Sequence, residues 1–319
     1  MTNTDNIKVI SGGIEYTKED IKKLDEVSHR GLLHERTHHG IEVPIYPIIS
    51  GWKGEAITSF GLQPQTVYDA WVEKGYPLND EDILWVKRYL DYAAQIRAGK
   101  KPHIPEIKDA LPVPFTKDEL KVVHKLIWDR RTSRAGWLPK EVPDEIIAQI
   151  CEAGRAAPIG CNLDEVRFVV LKTEEEKKLI HSDVATDNGV IIVICYDKRP
   201  SSVVGQDKPD RVPHNRGFDC AAAGDHMGLM AQALGLTSVW LSDSPGGGKK
   251  FKEAWGLPEE LEVAMHLGIG WPAAFYQVGQ SAVRIHDGPQ EIKFAGFTRL
   301  GNLKYISIAI RRGMDCRIT

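Results

Sequence analysis

The sequence contains few cysteines, and none of them is arranged for a metal ribbon or a redox dithiol. Five cysteines occur in 319 residues, widely spaced and without any Cys-x-x-Cys pair. Zinc ribbons and dithiol active sites need such pairs, because two thiolates must reach one ion or each other. Cys195 and Cys220 lie in apolar stretches and are predicted to be buried thiols. The pattern favours a reducing compartment, and we expect the protein in the cytoplasm.

Long apolar runs and a strong excess of either charge are also absent. No stretch approaches the roughly 20 apolar residues that a membrane-spanning helix needs. The polar residues at the start lack the apolar centre of a signal peptide. The formal net charge of −3 at pH 7 gives no general attraction to nucleic acid or to an anionic membrane. We therefore expect neither of these as a partner.

The first section of the chain, residues 1–112, is predicted to be mainly helical. Its strongest helix spans residues 80–98, where apolar residues recur at helical spacing and Gly99 provides the stop. A proline-rich passage at 102–114 then gives the best candidate domain boundary. We predict an N-terminal helical extension over 1–112.

The second section, residues 113–319, alternates predicted helices and strands. The stretch 189–196 is apolar on both faces, which is typical of a central strand. Residues 197–217 are predicted to form a long polar loop, and a helix rich in small residues follows from 219 to 234. These elements predict a single α+β domain.

Three arginines occur within five residues after a predicted helix, at Arg130, Arg131 and Arg134. Guanidinium groups form charge-assisted and often bidentate hydrogen bonds with phosphate. The alternative is a solvated helix end, which is what most charge runs are. The cluster is followed by an amphipathic helix, an Ala-Pro-x-x-x-Asn turn at 157–162 and an apolar strand at 166–171. This order resembles the opening of the FMN-dependent nitroreductase family.

The resemblance continues in the same order through the rest of the second section. The first matching stretch, at 233–240, ends a predicted helix and begins a strand. The second, at 255–272, contains a Gly-Leu-Pro passage. The third, at 299–306, is an arginine followed by an apolar run. Each stretch is short, but together they cover residues 116–308. The resemblance implies a nitroreductase-like mixed sheet flanked by helices, in an obligate homodimer with two FMN sites at the subunit interface.

The resemblance also implies which residues bind FMN. The phosphate and ribityl chain would be held by Arg130, Arg131, Thr132, Arg134 and Arg299. The flavin would be lined from the partner subunit by Pro158, Ile159, Gly160 and Asn162, and along its N5 edge by Leu241, Ser242 and Asp243. A phosphate needs several cationic donors, and reduction at N5 builds charge that a fixed donor can stabilise. We expect NAD(P)H or another donor to reduce the flavin, in ping-pong order.

The chain departs from the family pattern beside the flavin. Ile159 stands where the family usually has serine, and Asp164 stands where it usually has glutamine. Asp164 is the one acid–base candidate that we name. The departures, together with the extension over the active-site mouth, predict a specialised small-molecule substrate: a quinone, a nitro- or halo-aromatic, or a conjugated cyclic compound. A flavin-dependent dehydrogenase or reductive dehalogenase at the same site is the alternative.

The extension contains a His-Glu-x-x-His motif at 34–38, which in zinc peptidases places two imidazoles on one helical face. A flavin-binding module with a metal-dependent N-terminal activity is therefore a hypothesis from another class. Arg36 would place a cation beside the metal, and Gly40 follows closely. We predict instead a polar helix end with no metal, and with His38 and His39 at the surface or over the flavin entrance.

Overall fold

A computed structural model describes residues 7–105, 112–130, 132–133, 137–180, 188–205, 215–241, 247–273, 293–300 and 303–309. The chain divides into two compact units, Met1–Pro272 and Ala273–Thr319. The described part of the second unit is an antiparallel hairpin of β7 (Lys293–Leu300) and β8 (Leu303–Ala309). The boundary at residue 112 stays a prediction.

The N-terminal region is mainly helical, as predicted. Its elements are β1 (Val9–Ser11), β2 (Ile14–Tyr16), α1 (Lys18–Lys23), α2 (Glu26–Thr37), a π-helical turn (His38–Glu42), α3 (Val43–Ser50), α4 (Leu62–Glu73) and α5 (Glu81–Arg97). The hairpin β1–β2 was missed, because strands of three residues are too short to show an alternating pattern. The predicted helix at 80–98 is confirmed, and Gly99 follows it at φ 70°.

The histidine-rich segment does not end a helix, so that prediction was wrong. The main chain of α2 continues through the π-helical turn into α3. Gly40 lies inside the π-helical turn rather than after a helix end. Glycine is a poor helix former, but here the flanking apolar residues Ile41 and Ile45 are fully buried and hold the segment by packing.

A four-stranded sheet forms the centre of the second section, in the order β3-β4-β6-β5 with antiparallel neighbours. The strands are β3 (Val166–Leu171), β4 (Val190–Asp197), β5 (Thr237–Leu241) and β6 (Leu261–Gly270). The helices around it are α6 (Lys117–Asp129), α7 (Asp144–Arg155), α8 (Glu174–Lys178), α10 (Asn215–Ala233) and α11 (Gly247–Trp255). As predicted, β4 is apolar because both faces of the sheet are covered, and Cys195 and Cys220 are buried.

The predicted polar loop at 197–217 begins as a helix, which corrects the sequence prediction. Asp197 accepts a hydrogen bond from the Arg199 main-chain N–H at the start of α9 (Lys198–Val203). This helix packs against α2, where Gly31 faces Pro200. Residues 206–214 lie outside the described part of the chain.

The N-terminal helices share their core with the section that follows. Leu163, Val203 and Val204 are buried in the same apolar cluster as residues of α2 to α5. The Tyr16 hydroxyl donates a hydrogen bond to the Val203 carbonyl at 2.7 Å. In the part of the chain that the structure describes, no helix is long and apolar enough to cross a membrane.

Candidate active site

The described residues Thr132 and Ser133, which lie within the arginine segment, pair with strand β5. Arg130 directly follows α6, and its side chain is half-buried. Two residues later the main chain forms a parallel bridge from Thr132 to Ser238, and the Ser133 N–H donates to the Ser238 carbonyl at 2.9 Å. The segment is therefore fixed against β5 by its main chain. Arg131 and Arg134 lie outside the described residues.

The same strand ends at the residues predicted to follow the flavin edge. Leu241 is half-buried at the end of β5, and the indole of Trp240 before it is 47% exposed. Sequence reasoning assigned the arginine cluster and this strand end to one site from stretches about a hundred residues apart. The structure pairs Thr132 and Ser133 with Ser238, three residues before Leu241, and the shared site stays a prediction. Ser242 and Asp243 lie outside the described residues.

A tryptophan that sequence reasoning overlooked anchors the chain after the arginine cluster. Trp137 is buried, bridges to Pro272, and donates from its indole N–H to the Thr237 hydroxyl at 2.9 Å. A Cβ added at Gly270 would lie 2.3 Å from the Trp137 ring, and added ones at Gly189 and Gly268 would also clash with it. Glycine in a strand often marks such a close approach, so these glycines were the sequence feature from which the packing of a large side chain could have been predicted.

The turn at 158–162, which is predicted to line the flavin and is called the flavin turn below, has an unusual backbone. Cys161 and Asn162 have φ values of 56° and 55°, in the left-handed region that side chains with a Cβ rarely occupy. The Gly160 N–H donates to the Asp219 carboxylate of α10 at 3.0 Å. Burial raises the pKa of Asp219, and this hydrogen bond opposes the rise. Pro158 and Asn162 are exposed, so the turn offers polar groups at the surface of the chain.

The turn also contacts the N-terminal helices. The Nδ1 atom of His34 lies 3.2 Å from the Asn162 carbonyl, and its Nε2 atom lies 2.7 Å from the Asp82 carboxylate. Ile159 and Cys161 pack against the N-terminal apolar cluster, in which Leu163 is buried. The described contacts of the turn are therefore with the extension and α10.

The three residues of the His-Glu-x-x-His motif that could act at a metal site, His34, Glu35 and His38, have separate hydrogen-bond partners. His34 bonds to Asn162 and Asp82, while His38 bonds to Glu42 at 2.7 Å within the π-helical turn. Glu35 accepts hydrogen bonds from Ser11 and Arg36 and lies 3.0 Å from a ring nitrogen of His39. Among the described residues, no group of three or more His, Cys, Asp or Glu is arranged to hold a metal ion.

His38 and His39 were predicted at the surface or over the flavin entrance. The side chain of His39 is 42% exposed and that of His38 is 29% exposed. His38 lines a cleft of about 470 Å³ between the N-terminal helices and the predicted flavin turn. The other residues of this cleft, the interhelical cleft, are His34, Glu42, Glu81, Asp82, Trp85, Ile159, Asn162, Leu163 and Asp164.

Asp164 lies where the interhelical cleft meets a second one. Its exposed carboxylate forms an ion pair with Arg167 at 2.9 Å. The second cleft, of about 660 Å³, runs along α7, β3 and α10. A larger hollow of about 750 Å³ lies between α11 and β6, and none of the predicted site residues lines it. The two clefts that touch the predicted flavin turn are therefore the candidate binding sites.

Arg299, predicted to reach the phosphate, belongs to the second compact unit. It lies in β7 and pairs with Lys304 of β8 in the hairpin. Its role in binding phosphate stays a prediction.

Comparison with known proteins identifies one family. The model of the nitroreductase family matches residues 127–188 and 174–271. A protein of Archaeoglobus fulgidus named "Putative NADH dehydrogenase/NAD(P)H nitroreductase" is 28% identical over 156 residues, which are 46% of this chain and 84% of that protein. A protein of Methanothermobacter thermautotrophicus with the same name is 27% identical over 161 residues, 47% of this chain and 78% of its own.

Solved structures with similar chains include a putative nitroreductase from Desulfovibrio desulfuricans in complex with FMN. It is 26% identical with a TM-score of 0.40, covering 47% of this chain and 86% of that one. A nitroreductase with bound FMN from Bacteroides fragilis is 20% identical with a TM-score of 0.39, covering 56% and 98%.

The matched residues begin at Ile127 and leave the N-terminal helices outside the family match. They include Arg130, the predicted flavin turn and the strand end at Leu241. The structure anchors Thr132 and Ser133 to β5, and Gly160 to α10. Over residues 127–271, which are less than half of the chain, the protein is similar to the nitroreductase family.

Proposed function

We propose that this protein is an FMN-dependent oxidoreductase that takes electrons from NAD(P)H and passes them to a specialised small-molecule acceptor. The observation that supports this most is the main-chain pairing of Thr132 and Ser133 with Ser238, which fixes the segment after Arg130 against β5, the strand that ends at Leu241. Similarity to the family supports the reaction class, and the names of the archaeal relatives support a nicotinamide donor.

The residues present fit FMN in their chemistry. Arg130 provides a guanidinium two residues before the segment that pairs with β5, and Arg131 and Arg134 are its neighbours in sequence, so a phosphate would meet several cationic donors. The half-exposed Trp240 and the exposed Asn162 offer a flat apolar surface and an amide, which suit a ring system with a polar edge. Bound FMN supplies hydride and electron transfer, so the chain needs no covalent catalyst of its own.

The side chains around the cofactor would bind, orient and exclude water. In this proposal Arg130, Arg131, Thr132, Arg134 and Arg299 hold the phosphate and ribityl chain. Pro158, Ile159, Gly160 and Asn162 line the flavin, while Leu241, Ser242 and Asp243 follow its N5 edge. Each charge-assisted hydrogen bond to the phosphate contributes about 1.5–3 kcal/mol.

Asp164 is proposed as the residue that holds or donates a proton to the substrate. Its carboxylate is exposed at the junction of the two clefts beside the turn, which is where a second substrate would approach. The Asp164→Asn variant should lower kcat for the acceptor while flavin reduction by the nicotinamide is unchanged. If both half-reactions keep their rates, Asp164 is not the proton donor.

We also propose a homodimer. No residue of α6 is buried, although the helix exposes large apolar side chains at Leu120, Ile127 and Trp128. An exposed apolar face of this kind usually marks an interaction surface, and a second copy would cover it. Sedimentation should give about twice the 35.6 kDa chain mass, and a monomer that retains flavin would contradict the proposal.

A cytoplasmic location is part of the proposal. Cys151, Cys161, Cys195 and Cys220 are free thiols, and burial raises the pKa of the Cys195 and Cys220 thiols to about 12. Thiols persist in reducing compartments.

The cofactor and the electron donor are tested first. The purified protein should be yellow, and heating should release FMN rather than FAD, as separated by chromatography. Anaerobic mixing with NADH and NADPH, followed at the flavin absorbance, identifies the donor. A colourless protein that takes up no added FMN would overturn the proposed function.

The acceptor is then found by a screen of reduced protein against oxidants. Quinones, nitroaromatics, halo-aromatics and conjugated cyclic acids cover the proposed classes. Release of halide would identify a dehalogenase, and reduction of the flavin by a saturated cyclic substrate would identify a dehydrogenase. An acceptor of the proposed classes should reoxidise the flavin faster than dioxygen does.

A further inference from the structure

His34 joins the N-terminal helices to the predicted flavin turn. It lies in α2, its side chain is only 6% exposed, and both of its ring nitrogens face hydrogen-bond acceptors. The Asn162 carbonyl is 3.2 Å from Nδ1, and the Asp82 carboxylate of α5 is 2.7 Å from Nε2. The ring therefore lies between a main-chain carbonyl of the turn and a carboxylate of the N-terminal helices.

The Asp82 side of this connection is itself held in place. Arg30 donates from Nη1 to both carboxylate oxygens of Asp82, at 3.0 and 2.9 Å, and from Nη2 to Asp80 at 2.7 Å. Burial alone would raise the pKa of Asp82, but the hydrogen bond and charge of His34 and the charge of Arg30 lower it. The carboxylate is therefore a fixed anion, and it fixes the His34 ring.

The Asn162 side of the connection is a turn that needs support. Two consecutive residues with a Cβ, Cys161 and Asn162, occupy the left-handed region, which costs energy at each position. Such a backbone persists when its surroundings hold it, and the hydrogen bonds that hold this one come from opposite sides. Asp219 binds the Gly160 N–H, and His34 binds the Asn162 carbonyl.

We infer that His34 is a positioning residue for FMN binding: through its hydrogen bond to the Asn162 carbonyl, it holds the flavin turn in its left-handed conformation. The inference rests on the proposed function, in which Asn162 faces the flavin. It assigns the N-terminal helices a part in the cofactor site, and it gives His34 of the His-Glu-x-x-His motif a role that involves no metal.

His38 provides a matched control on the same segment. It lines the same interhelical cleft, but its ring bonds to Glu42 one helical turn away. Its described hydrogen bond does not reach the flavin turn. Replacing His38 therefore removes a histidine from the cleft without removing the support of Asn162.

The two nitrogens of His34 can be separated by substitution. The amide nitrogen of asparagine takes the place of Nδ1, so His34→Asn keeps the donor to the Asn162 carbonyl and loses Asp82. The amide nitrogen of glutamine reaches the place of Nε2, so His34→Gln keeps the donor to Asp82 and loses the turn. The difference between these variants isolates the contact with Asn162.

The test measures FMN binding to the apoprotein by quenching of flavin fluorescence, and the visible spectrum and reduction potential of bound flavin. His34→Gln should weaken binding roughly tenfold, as expected for a lost hydrogen bond, and should shift the spectrum and potential. The FMN affinities of His34→Asn and His38→Ala should stay within about threefold of that of the unchanged protein. His34→Asn keeps the hydrogen bond to Asn162, and His38→Ala removes no hydrogen bond to the turn. A thermal melt confirms that each variant is folded at the assay temperature.

Equal FMN affinities and spectra in His34→Asn and His34→Gln would overturn the inference, whether both match the unchanged protein or both are weakened, because the contact with Asn162 would then not matter. If His34→Gln does not fold, Asp82→Asn, which leaves the turn contact in place, should still bind FMN within about threefold, and a larger loss would count against the inference. Failure of the proposed function gives a different result, since the unchanged protein would then bind no FMN.

Discussion

Two segments of this protein are predicted to hold one cofactor, and the structure supports them in different ways. Thr132 and Ser133 are held by main-chain pairing with β5. In the residues that the structure describes, Gly160 and Asn162 have main-chain hydrogen bonds only within their own turn, and the side chains of Asp219 and His34 connect that turn, with its two left-handed residues, to other elements. Main-chain pairing survives most substitutions, while support by side chains is lost with one. The flavin turn should therefore be the more sensitive half of the site.

Removal of residues 1–112 should give the largest effect. The deletion exposes Leu163, Val203 and Val204, which are buried against the N-terminal cluster, and removes His34. Exposing three such side chains costs roughly 5 kcal/mol or more. We expect a much lower free energy of unfolding by denaturant titration, and loss of the flavin turn before the segment at Ser133. An unchanged midpoint would show that the turn does not depend on the extension.

The next largest effect is a loss of stability at acid pH, caused by a buried histidine in the N-terminal core. His29 is fully buried, and burial lowers its pKa to about 4 from 6.5, although the bond to the Val67 carbonyl opposes this. As the pH falls from 6.5 to about 4, the unfolded chain takes up a proton that the folded one does not. The free energy of unfolding should therefore fall by up to roughly 3 kcal/mol and then level off.

The control for the acid effect is His29→Gln, whose amide can still donate to Val67. Unfolding free energies of both proteins at pH 7 and pH 4.5 isolate the histidine from the carboxylates. The substituted protein should show a smaller loss on acidification. If the two losses are equal, His29 does not titrate as its burial implies.

The arginine segment is tested by Arg130→Ala. Loss of one charge-assisted bond to phosphate should weaken FMN binding by about 1.5–3 kcal/mol, ten- to a hundredfold. Arg155→Ala is the control, because Arg155 is exposed and paired with Glu152 at 2.9 Å. Fluorescence titration of both apoproteins measures the effect, and equal affinities would return Arg130 to the role of a solvated helix end.

The smallest effect concerns the contact of α2 with α9. A Cβ at Gly31 would lie 2.7 Å from both Cα and Cβ of Pro200. Gly31→Ala should cost about 1–3 kcal/mol by overpacking and should loosen the support of the flavin turn. Gly217→Ala in α10 is the matched change, because an added Cβ there meets no atom within 4 Å. Equal melting temperatures of the two variants would mean that α9 shifts to accommodate the added Cβ without loss of stability.

Sequence reasoning succeeded where a local signal and the tertiary structure agree. The helix predicted at 80–98 is present as α5, and β4 is the apolar central strand that its composition indicated. The arginine segment and the end of β5 were assigned to one site by family resemblance; the structure pairs Thr132 and Ser133 with Ser238 of β5, and the assignment stays a prediction. The roles of these residues toward FMN stay predictions.

The motif at His34 shows where such reasoning stops. The spacing His-Glu-x-x-His places side chains on one helical face, but it says nothing about what lies opposite that face. The structure separates the three side chains, because Asp82, Glu42 and Ser11 approach from different elements. A partner 48 or 128 residues away cannot be found from local spacing.

The sequence by itself determined the resemblance to the nitroreductase family, the alternation of helices and strands and the arginine cluster, because these depend on neighbouring residues and on motif order. The tertiary structure alone decided that α2 continues into α3, that the N-terminal helices share a core with Leu163, and that His34 meets the Asn162 carbonyl. These features depend on packing between residues far apart in the chain, and burial at such contacts overrides local propensity.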